Sequence, residues 1–303
     1  MEEISNVSQE IPEPREGRKK VKELEVMVSD VVKETRDTTT LYLFTGNDRL
    51  QYSAGHFVSI DPHQFDFLSR WIEFMEDLKG RREVPRAYSL YSAPHEKYLA
   101  ITVKEERYVR GQTKYPPLLS PVLVHRVGRG MRMTVIGFAG PYILPPDIES
   151  RTDHLVHVCA GSGSVPNLSI LKHALATGMK LKHTFIYSNK TWDEIIYRDE
   201  LTRLERQHPD KLKVVHCVTR DPEATKLGPN VYPSRVTPEL LKKIIPDWSA
   251  VEVFSCGPAI TKYDKLIAKE KGVEPTPRFM EAAVAALLEV GLPKERLHKE
   301  SYG

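Results

Sequence analysis

Cysteine and long apolar runs are scarce in this sequence. Its 303 residues include only Cys159, Cys217 and Cys256, which lie far apart, so we expect no disulfide. Three thiols also fall short of the four that an iron–sulfur cluster ordinarily needs, which would put any iron centre on another protein. No stretch approaches the roughly 18 consecutive apolar residues of a membrane span, and no apolar signal core follows Met1. We therefore expect a cytoplasmic protein that does not enter a membrane.

The sequence also lacks a marked excess of positive or of negative residues. The 44 Lys and Arg residues nearly balance the 41 Asp and Glu residues, leaving a net charge of +3, so no nucleic-acid partner is expected. Hydrophobic residues make up 40% and charged residues 28% of the chain, which is ordinary for a globular protein. Because 303 residues exceed what one core usually holds, we expect two domains.

The first half has the pattern of an all-β domain. Short runs rich in β-branched and aromatic residues alternate with turn residues across residues 21–148, which predicts an antiparallel β-barrel or sandwich. Residues 1–20 are polar and are expected to form a mobile lead-in. The predicted strands are Leu24–Val32, Thr39–Phe44, Phe57–Ile60, Ala87–Tyr91, Leu99–Val103 and Met131–Ile136.

Two segments of the first half break the β pattern. Apolar residues recur at helical spacing over Phe65–Leu78, which predicts a helix that packs its apolar face on the barrel, with a lid over a cofactor as the alternative. A second helix is predicted over Pro117–Val127, where Ser120 and Pro121 fit an N-cap and a first-turn proline.

The second half alternates predicted strands and helices from residue 149 to residue 303, with a boundary near residues 146–153. This order predicts a doubly wound parallel sheet that binds a ligand at the carboxyl edge of its strands. The strands are His154–Ala160, Leu181–Tyr187, Leu212–Val218 and Val251–Ser255, and the helices are Asn167–Thr177, Trp192–Gln207, Pro238–Ile245 and Ala259–Lys271.

A glycine-containing loop in the second half is a candidate phosphate site. Gly161, Ser162 and Gly163 join a predicted strand to a helix that starts near Pro166. A helix N-terminus offers free amides and a partial positive charge, so this loop fits the phosphates of a dinucleotide. It lacks the usual six-residue glycine fingerprint, and a plain strand-to-helix turn remains the alternative.

A strand in the first half combines a cation, a flat aromatic ring and a hydroxyl, in Arg86, Tyr88 and Ser89. Alternation along a strand predicts that Arg86 and Tyr88 share one face and that Ser89 lies on the other. Taken alone, the segment also fits an edge strand whose arginine merely covers a tyrosine ring.

Together and in this order, the two segments resemble the ferredoxin-NADP reductase family, in which an Arg-x-Tyr-Ser strand holds the flavin and a glycine loop opens the pyridine-nucleotide domain. The resemblance covers residues 24–303 and implies an FAD-binding β-barrel domain (21–148) followed by an NAD(P)-binding α/β domain (149–303). A vaguer likeness, over residues 275–302, is to the reductases of bacterial aromatic-ring oxygenase systems. Further matches are Ser120-Pro121, Phe138–Pro141, Arg198–Leu201, Phe254–Pro258 and Glu300–Tyr302.

The resemblance implies a flavin site in the first domain. Arg86 would neutralise the flavin phosphate, Tyr88 would stack on the isoalloxazine ring, and Ser89 would approach the ring near N5. Ser120 would meet the pyrophosphate at a helix N-terminus. Residues 108–117 replace the family's glycine-rich approach to Ser120, which leaves FMN as the alternative to FAD.

The resemblance also implies a nicotinamide site in the last part of the chain. Cys256, with Gly257 and Pro258, would lie near the nicotinamide ring. Tyr302 would cover the flavin until the nicotinamide displaces it, and Glu300 would relay a proton or position the hydroxyl of the flavin strand. The alternatives are that Cys256 is a buried small hydrophobe and that Glu300 and Tyr302 belong to a frayed tail.

Coenzyme choice depends on the end of the third strand of the second domain. Thr219, Arg220 and Tyr232 resemble the family's pattern of hydroxyl, arginine and tyrosine for a 2′-phosphate. No acidic residue stands at position 219, although Asp221 is close by. We predict NADPH, with NADH possible and a solvated basic loop as the alternative.

These features predict an enzyme, a flavin-dependent oxidoreductase that transfers hydride from NADPH to FAD and single electrons onward to ferredoxin, flavodoxin or an oxygenase component. A flavin is needed because nicotinamide gives two electrons together, whereas iron centres accept one. Basic residues around the flavin edge would receive an acidic carrier. The alternatives are an electron-transfer subunit of a larger flavoenzyme complex and a non-catalytic dinucleotide-binding redox sensor.

Overall fold

Two six-stranded sheets, one antiparallel and one parallel, form the framework of the protein. They are seen in a computed structural model that describes residues 22–46 and 50–302. The predicted mobile lead-in, residues 1–20, lies outside the described residues. The predicted combination of an antiparallel barrel and a doubly wound parallel sheet is confirmed.

The antiparallel sheet closes into a barrel. Its strand order is β4-β3-β6-β1-β2-β5, and just beyond β4 the amide of Tyr91 donates to the carbonyl of Ala100 in β5 at 2.8 Å. Closure leaves no long unpaired edge, and buried valines and leucines of facing strands fill the interior. The strands are β1 (Lys22–Thr35), β2 (Thr38–Phe44), β3 (Phe57–Ile60), β4 (Arg86–Ser89), β5 (Leu99–Lys104) and β6 (Arg132–Ala139).

Two helices accompany the barrel, α1 (Ser69–Lys79) and α2 (Ser120–His125). Helix α1 buries Ile72 and Met75, and Ile72 joins the barrel core, so the predicted packing role is confirmed. The helix is shorter than predicted because residues 62–68 form two 3-10 turns after Asp61, whose carboxylate accepts the amide of His63.

The prediction that Ser120 is the N-cap of α2 is wrong. Leu119 already has a helical backbone conformation, and Ser120 is the first residue of the helix. The buried Ser120 hydroxyl instead accepts a hydrogen bond from the amide of Glu106 at 3.0 Å. This contact ties the start of α2 to the connection that follows β5.

The parallel sheet has the order β10-β9-β8-β7-β11-β12. Nearly every residue of its central strands is buried, as expected for strands covered on both faces, although several of these residues are polar. The strands are β7 (His154–Ala160), β8 (Lys182–Asn189), β9 (Leu212–Val218), β10 (Val231–Tyr232), β11 (Glu252–Pro258) and β12 (Leu297–Tyr302); the helices are α3 (Ile148–Arg151), α4 (Ser164–Ala176), α5 (Arg198–Gln207), α6 (Pro238–Ile244), α7 (Lys262–Glu270) and α8 (Phe279–Glu289).

Several boundaries in the second half differ from prediction. The predicted helix Trp192–Gln207 is wrong before Arg198, because Tyr197 adopts a left-handed backbone conformation (φ 60°) and buries its ring against Tyr91 of the barrel. Strands β10 and β12 and helix α8 were not predicted. The domain bounds 21–148 and 149–303 stay a prediction; in the fold, the first sheet ends at Ala139 and the second begins at His154.

Over residues 22–46 and 50–302, none of the helices combines the length and the apolar character that crossing a bilayer requires.

Candidate functional site

The end of β4 meets the end of β12 in the structure. The hydroxyl oxygens of Ser89 and Tyr302 are 2.6 Å apart, and Ser89 Oγ donates to Glu300 Oε2 at 3.4 Å. Ser89 is 5% exposed and Glu300 and Tyr302 are partly buried. Ser89, Glu300 and Tyr302, which were predicted to act together, therefore lie in one cluster although Ser89 is more than 200 positions from the other two.

Strand pairing positions the last residues of this cluster. Strand β12 runs parallel to β11, with Glu300 opposite Cys256 and Tyr302 opposite Pro258. Because side chains alternate along a strand, Glu300 and Tyr302 point to the same side of the sheet. The alternative of a frayed tail is wrong, since the ladder with β11 holds this segment.

Burial controls the protonation of the cluster. Removal from water raises the pKa of Glu300 to about 7, and the hydrogen bond from Ser89 opposes only part of that rise. Burial likewise raises the pKa values of Tyr302 and of the Cys256 thiol well above their usual ranges. The cluster thus holds one carboxyl group that exchanges a proton near neutral pH beside hydroxyl and thiol groups that stay protonated.

The glycine loop between β7 and α4 is tightly built. A methyl group on Gly163 would lie 2.0 Å from the carbonyl oxygen of Cys256, so only glycine fits this approach of loop to strand. Gly161 has a left-handed backbone (φ 53°), and a methyl group there would meet open space. The following helix begins at Ser164, and Pro166 falls within its first turn, where a missing amide is tolerated.

Asn167 is a buried residue of the loop region that the sequence analysis missed. Its Nδ2 donates to the carbonyl of Gly163 at 2.8 Å, while its Oδ1 accepts from the hydroxyl of Tyr142 at 3.2 Å and lies 3.0 Å from Nδ1 of His157. One amide therefore connects the glycine loop, strand β7 and the segment that follows β6. Its sole signal in the sequence is a polar residue within an otherwise apolar helix face.

Arg86 lies in a second arrangement that was not predicted. Its guanidinium and the ammonium of Lys79 both pair with Glu83, whose side chain is fully buried. These cations hold the pKa of Glu83 below its usual range despite burial. Because two cations pair with one carboxylate, the group of Arg86, Lys79 and Glu83 keeps a net positive charge. The same contacts bring the end of α1 close to β4. That strand also carries Tyr88, a partly buried residue that packs against the barrel core.

The predicted 2′-phosphate residues lie at one end of the parallel sheet. Thr219 and Arg220 follow β9 and are exposed, and Tyr232 pairs with Cys217 in the neighbouring strand. Asp221 accepts the amide of Trp192 at 3.4 Å through Oδ2 and the amide of Glu223 at 3.0 Å through Oδ1. Both of its oxygens are thus engaged within the loop.

Comparisons with known proteins find similarity to oxidoreductases. Residues 157–263 match the family model of the oxidoreductase NAD-binding domain. The ferredoxin reductase component of 3-ketosteroid-9-alpha-monooxygenase from Mycolicibacterium smegmatis is 31% identical over 290 residues, which cover 92% of this chain. The chain spans 65% of the length of that relative, slightly less than two thirds.

Solved structures share the fold. The flavohem-like FAD/NAD binding domain of nitric oxide dioxygenase from Vibrio cholerae aligns with a TM-score of 0.68 and 22% identity, covering 92% of this chain and 98% of that chain. A mutant ferredoxin-NADP+ reductase from Plasmodium falciparum aligns with a TM-score of 0.65 and 18% identity, covering 92% of this chain and 96% of that chain. At sequence identities this low, the structural comparison shows a shared fold and nothing about activity.

Proposed function

We propose that this chain is a member of the ferredoxin-NADP reductase-like family, a flavin-dependent oxidoreductase that transfers hydride from NADPH to FAD and passes single electrons to an external carrier. When bound, FAD supplies the change from two-electron to one-electron transfer, which no side chain provides. The observation that carries the proposal is the meeting of Ser89 with Glu300 and Tyr302, more than 200 positions away in sequence.

The residues present fit a flavin. Tyr88 and Tyr302 offer two flat, partly buried rings on strands of different sheets. The Tyr302 hydroxyl forms a hydrogen bond with the Ser89 hydroxyl. The net positive charge left on Arg86 and Lys79 suits a flavin phosphate. We assign Tyr88 and Tyr302 to the isoalloxazine ring, and Arg86 and Ser120 to the phosphates.

The proton of the reaction is assigned to Glu300 and Ser89. A carboxyl group with a pKa of about 7 can hold a proton on Oε2 and release it at neutral pH without a large energetic cost. The Ser89 hydroxyl, 3.4 Å away, would pass that proton toward the reacting edge of the cofactor. Cys256 would pack as a small, neutral group beside the nicotinamide and exclude water from it.

NADPH is assigned to the carboxyl edge of the parallel sheet. The amides of Gly161, Ser162 and Gly163, ahead of Pro166, would hold its pyrophosphate, and Gly257 with Pro258 would border the nicotinamide. Exposed Thr219 and Arg220, with Tyr232 alongside, would bind the 2′-phosphate. The engagement of both Asp221 oxygens in backbone contacts supports NADPH over NADH, since fewer lone pairs of that carboxylate remain for ribose hydroxyls.

The external carrier is proposed to be ferredoxin, flavodoxin or an oxygenase component. The relative from Mycolicibacterium smegmatis is named as the ferredoxin reductase component of a monooxygenase, which favours an oxygenase system for this chain too. A cytoplasmic location is also a prediction, and fractionation of cells would test it.

A spectrum of the purified chain, followed by anaerobic titration, tests the proposal. We expect the absorption bands of an oxidised flavin, bleaching by NADPH at lower concentration than by NADH, and steady reduction of ferricyanide as an artificial acceptor. A colourless protein that takes up neither FAD nor FMN would overturn the proposal and favour a redox sensor. A yellow protein that NADPH and NADH leave oxidised would favour a subunit of a larger complex.

A further inference from the structure

The helical segment 67–79, a 3-10 turn followed by α1, carries two apolar stripes, and the fold buries only one of them. The buried stripe consists of Leu68, Ile72 and Met75, and the first two belong to the barrel core. The second stripe, here named the open stripe, consists of Phe67, Trp71, Phe74 and Leu78, which are 60%, 38%, 53% and 53% exposed. None of these four side chains belongs to the barrel core that the described residues form.

The open stripe is a continuous surface. The rings of Trp71 and Phe74 stack with their centroids 5.4 Å apart. Three aromatic side chains and one leucine, each about half exposed, present on the order of 400 Å² of apolar surface. Apolar surface of this size is comparable to the largest patch of a typical monomer and often marks a contact with another molecule.

The spacing of the open stripe fits a facing helix. Its members are separated by four, three and four positions, which is the spacing of the apolar positions at a helix–helix seam. In an antiparallel pair of identical stripes, Phe67 of one copy lies opposite Leu78 of the second copy. Trp71 of one copy likewise lies opposite Phe74 of the other. The open stripe therefore complements itself, as a two-fold interface requires.

The charges beside the open stripe favour the same arrangement. Arg70 and Asp77 are exposed and seven positions apart, which places both on the same side of the stripe. In an antiparallel pair, Arg70 of one copy lies beside Asp77 of the second copy, and the symmetry repeats this contact. The ion pairs that α1 forms within the described part of the chain use Glu76 and Lys79 instead. Arg70 and Asp77 thus provide charge complementarity between two copies.

We infer that two copies of this chain associate through their open stripes, with the two α1 helices antiparallel. Two stripes would bury on the order of 800 Å², which is below the roughly 1,200–2,000 Å² of stable complexes. We therefore expect a weak dimer with a dissociation constant in the micromolar range. The open stripe contains none of the residues assigned to flavin or NADPH, so the inference goes beyond the proposed function and does not depend on it.

Sedimentation equilibrium of the purified full-length chain tests the inference. We expect the mass to rise from that of one chain to that of two as the concentration passes through the micromolar range. Leu78→Glu should keep the chain monomeric over this range, because it places a charge within the seam. The matched control is Leu266→Glu, at a leucine of α7 that is 42% exposed, and it should dimerise like the wild type. Urea denaturation of both variants checks that the fold is retained.

Charge reversal is a second test, and it does not depend on how Leu78→Glu folds. Arg70→Asp or Asp77→Arg alone sets like charges beside each other twice in each dimer, and we expect roughly tenfold weaker association for either. The double variant restores opposite charges and should associate within about threefold of the wild type. Neither reversal should weaken α1 itself, because an acidic group near a helix N-terminus and a basic group near its C-terminus are both favourable.

Each result supports or overturns the inference. A wild-type chain that stays monomeric throughout the micromolar range would overturn it, as would a dimer that Leu78→Glu leaves intact. Weaker association of both single charge variants without recovery in the double variant would overturn the antiparallel arrangement. A monomer that binds anionic vesicles of phosphatidylglycerol and phosphatidylcholine, or ferredoxin, and loses that binding on Leu78→Glu would assign the open stripe to that partner and overturn the dimer.

Discussion

At the scale of single residues, Glu300 is expected to make the stability of the protein depend on pH near neutrality. Burial raises its pKa to about 7 from an ordinary value of 4.5, which corresponds to a difference of about 3 kcal/mol between the protonation states. A carboxyl group whose pKa is raised by folding stabilises the fold while it is protonated. That stabilisation is fully present below about pH 4.5 and is lost as the pH rises through about 7.

Glu300→Gln should therefore remove a pH-dependent cost of folding. Relative to wild type, we expect the variant to gain up to about 3 kcal/mol in free energy of unfolding between about pH 5 and about pH 8, because glutamine does not ionise. Urea denaturation at both pH values, with the holoprotein, measures the difference. Ser301→Ala, an exposed neighbour on the same strand, is the control. A difference between variant and wild type that stays constant with pH would show that Glu300 does not titrate in this range.

Residue roles were only partly predictable from the sequence. Ser89, Glu300 and Tyr302 could be named in advance because each stands within a short motif that the family resemblance supplies. Asn167 and Glu83 could not, since their partners lie on other elements and no local spacing marks them. The sequence suggests residue types for a reaction, while the buried polar contacts that fix those residues depend on the tertiary structure.

At the scale of elements, predictability followed the strength of the local pattern. Apolar β-branched runs gave the central strands β7, β8 and β9 nearly as observed. Strand β12, Leu297–Tyr302, is polar at several positions because it lies at the edge of the sheet. Helix α8 is apolar apart from Glu281 and Glu289, so it shows little amphipathic periodicity. Tyr197 ends a helical pattern for a tertiary reason, its packing on the barrel.

The glycine loop offers a matched pair of substitutions. Gly163→Ala places a methyl group 2.0 Å from the Cys256 carbonyl oxygen, so the loop must move away from β11, at a cost of roughly 1–3 kcal/mol or more. Gly161→Ala meets no neighbour and should cost only about 1 kcal/mol for the left-handed backbone.

Urea denaturation and binding of 2′,5′-ADP compare the two variants. We expect Gly163→Ala to lose more stability and to lose most of its nucleotide affinity, since the loop amides move together. An equal or smaller loss for Gly163→Ala than for Gly161→Ala would contradict the close approach of loop and strand.

At the scale of the whole molecule, a seam of polar and aromatic contacts joins the barrel to the parallel sheet. Tyr91 of the barrel stacks on Tyr197, with ring centroids 4.7 Å apart, and its hydroxyl donates to Glu200 at 2.5 Å. Lys172 of α4 pairs with Glu96 at 2.7 Å and lies 3.6 Å from the centre of the Tyr91 ring. Because the proposed flavin and nicotinamide sites lie on different sheets, this seam would fix the distance over which hydride passes.

A double-mutant cycle on Lys172 and Glu96 measures what the seam contributes. Lys172 is 7% exposed, but Glu96 keeps 35% of its side-chain surface in solvent, so we expect a favourable coupling of about 1 kcal/mol rather than the larger value of a fully buried pair. Lys172→Met should destabilise more than Glu96→Gln, since it also removes the cation from the Tyr91 ring.

Both variants should keep their flavin, because neither residue is assigned to it, while the rate of flavin reduction by NADPH falls as the two domains lose their fixed orientation. Urea denaturation gives the coupling and stopped-flow absorbance gives the rate. Loss of stability with an unchanged reduction rate would mean that the seam holds the domains together without setting the geometry of hydride transfer.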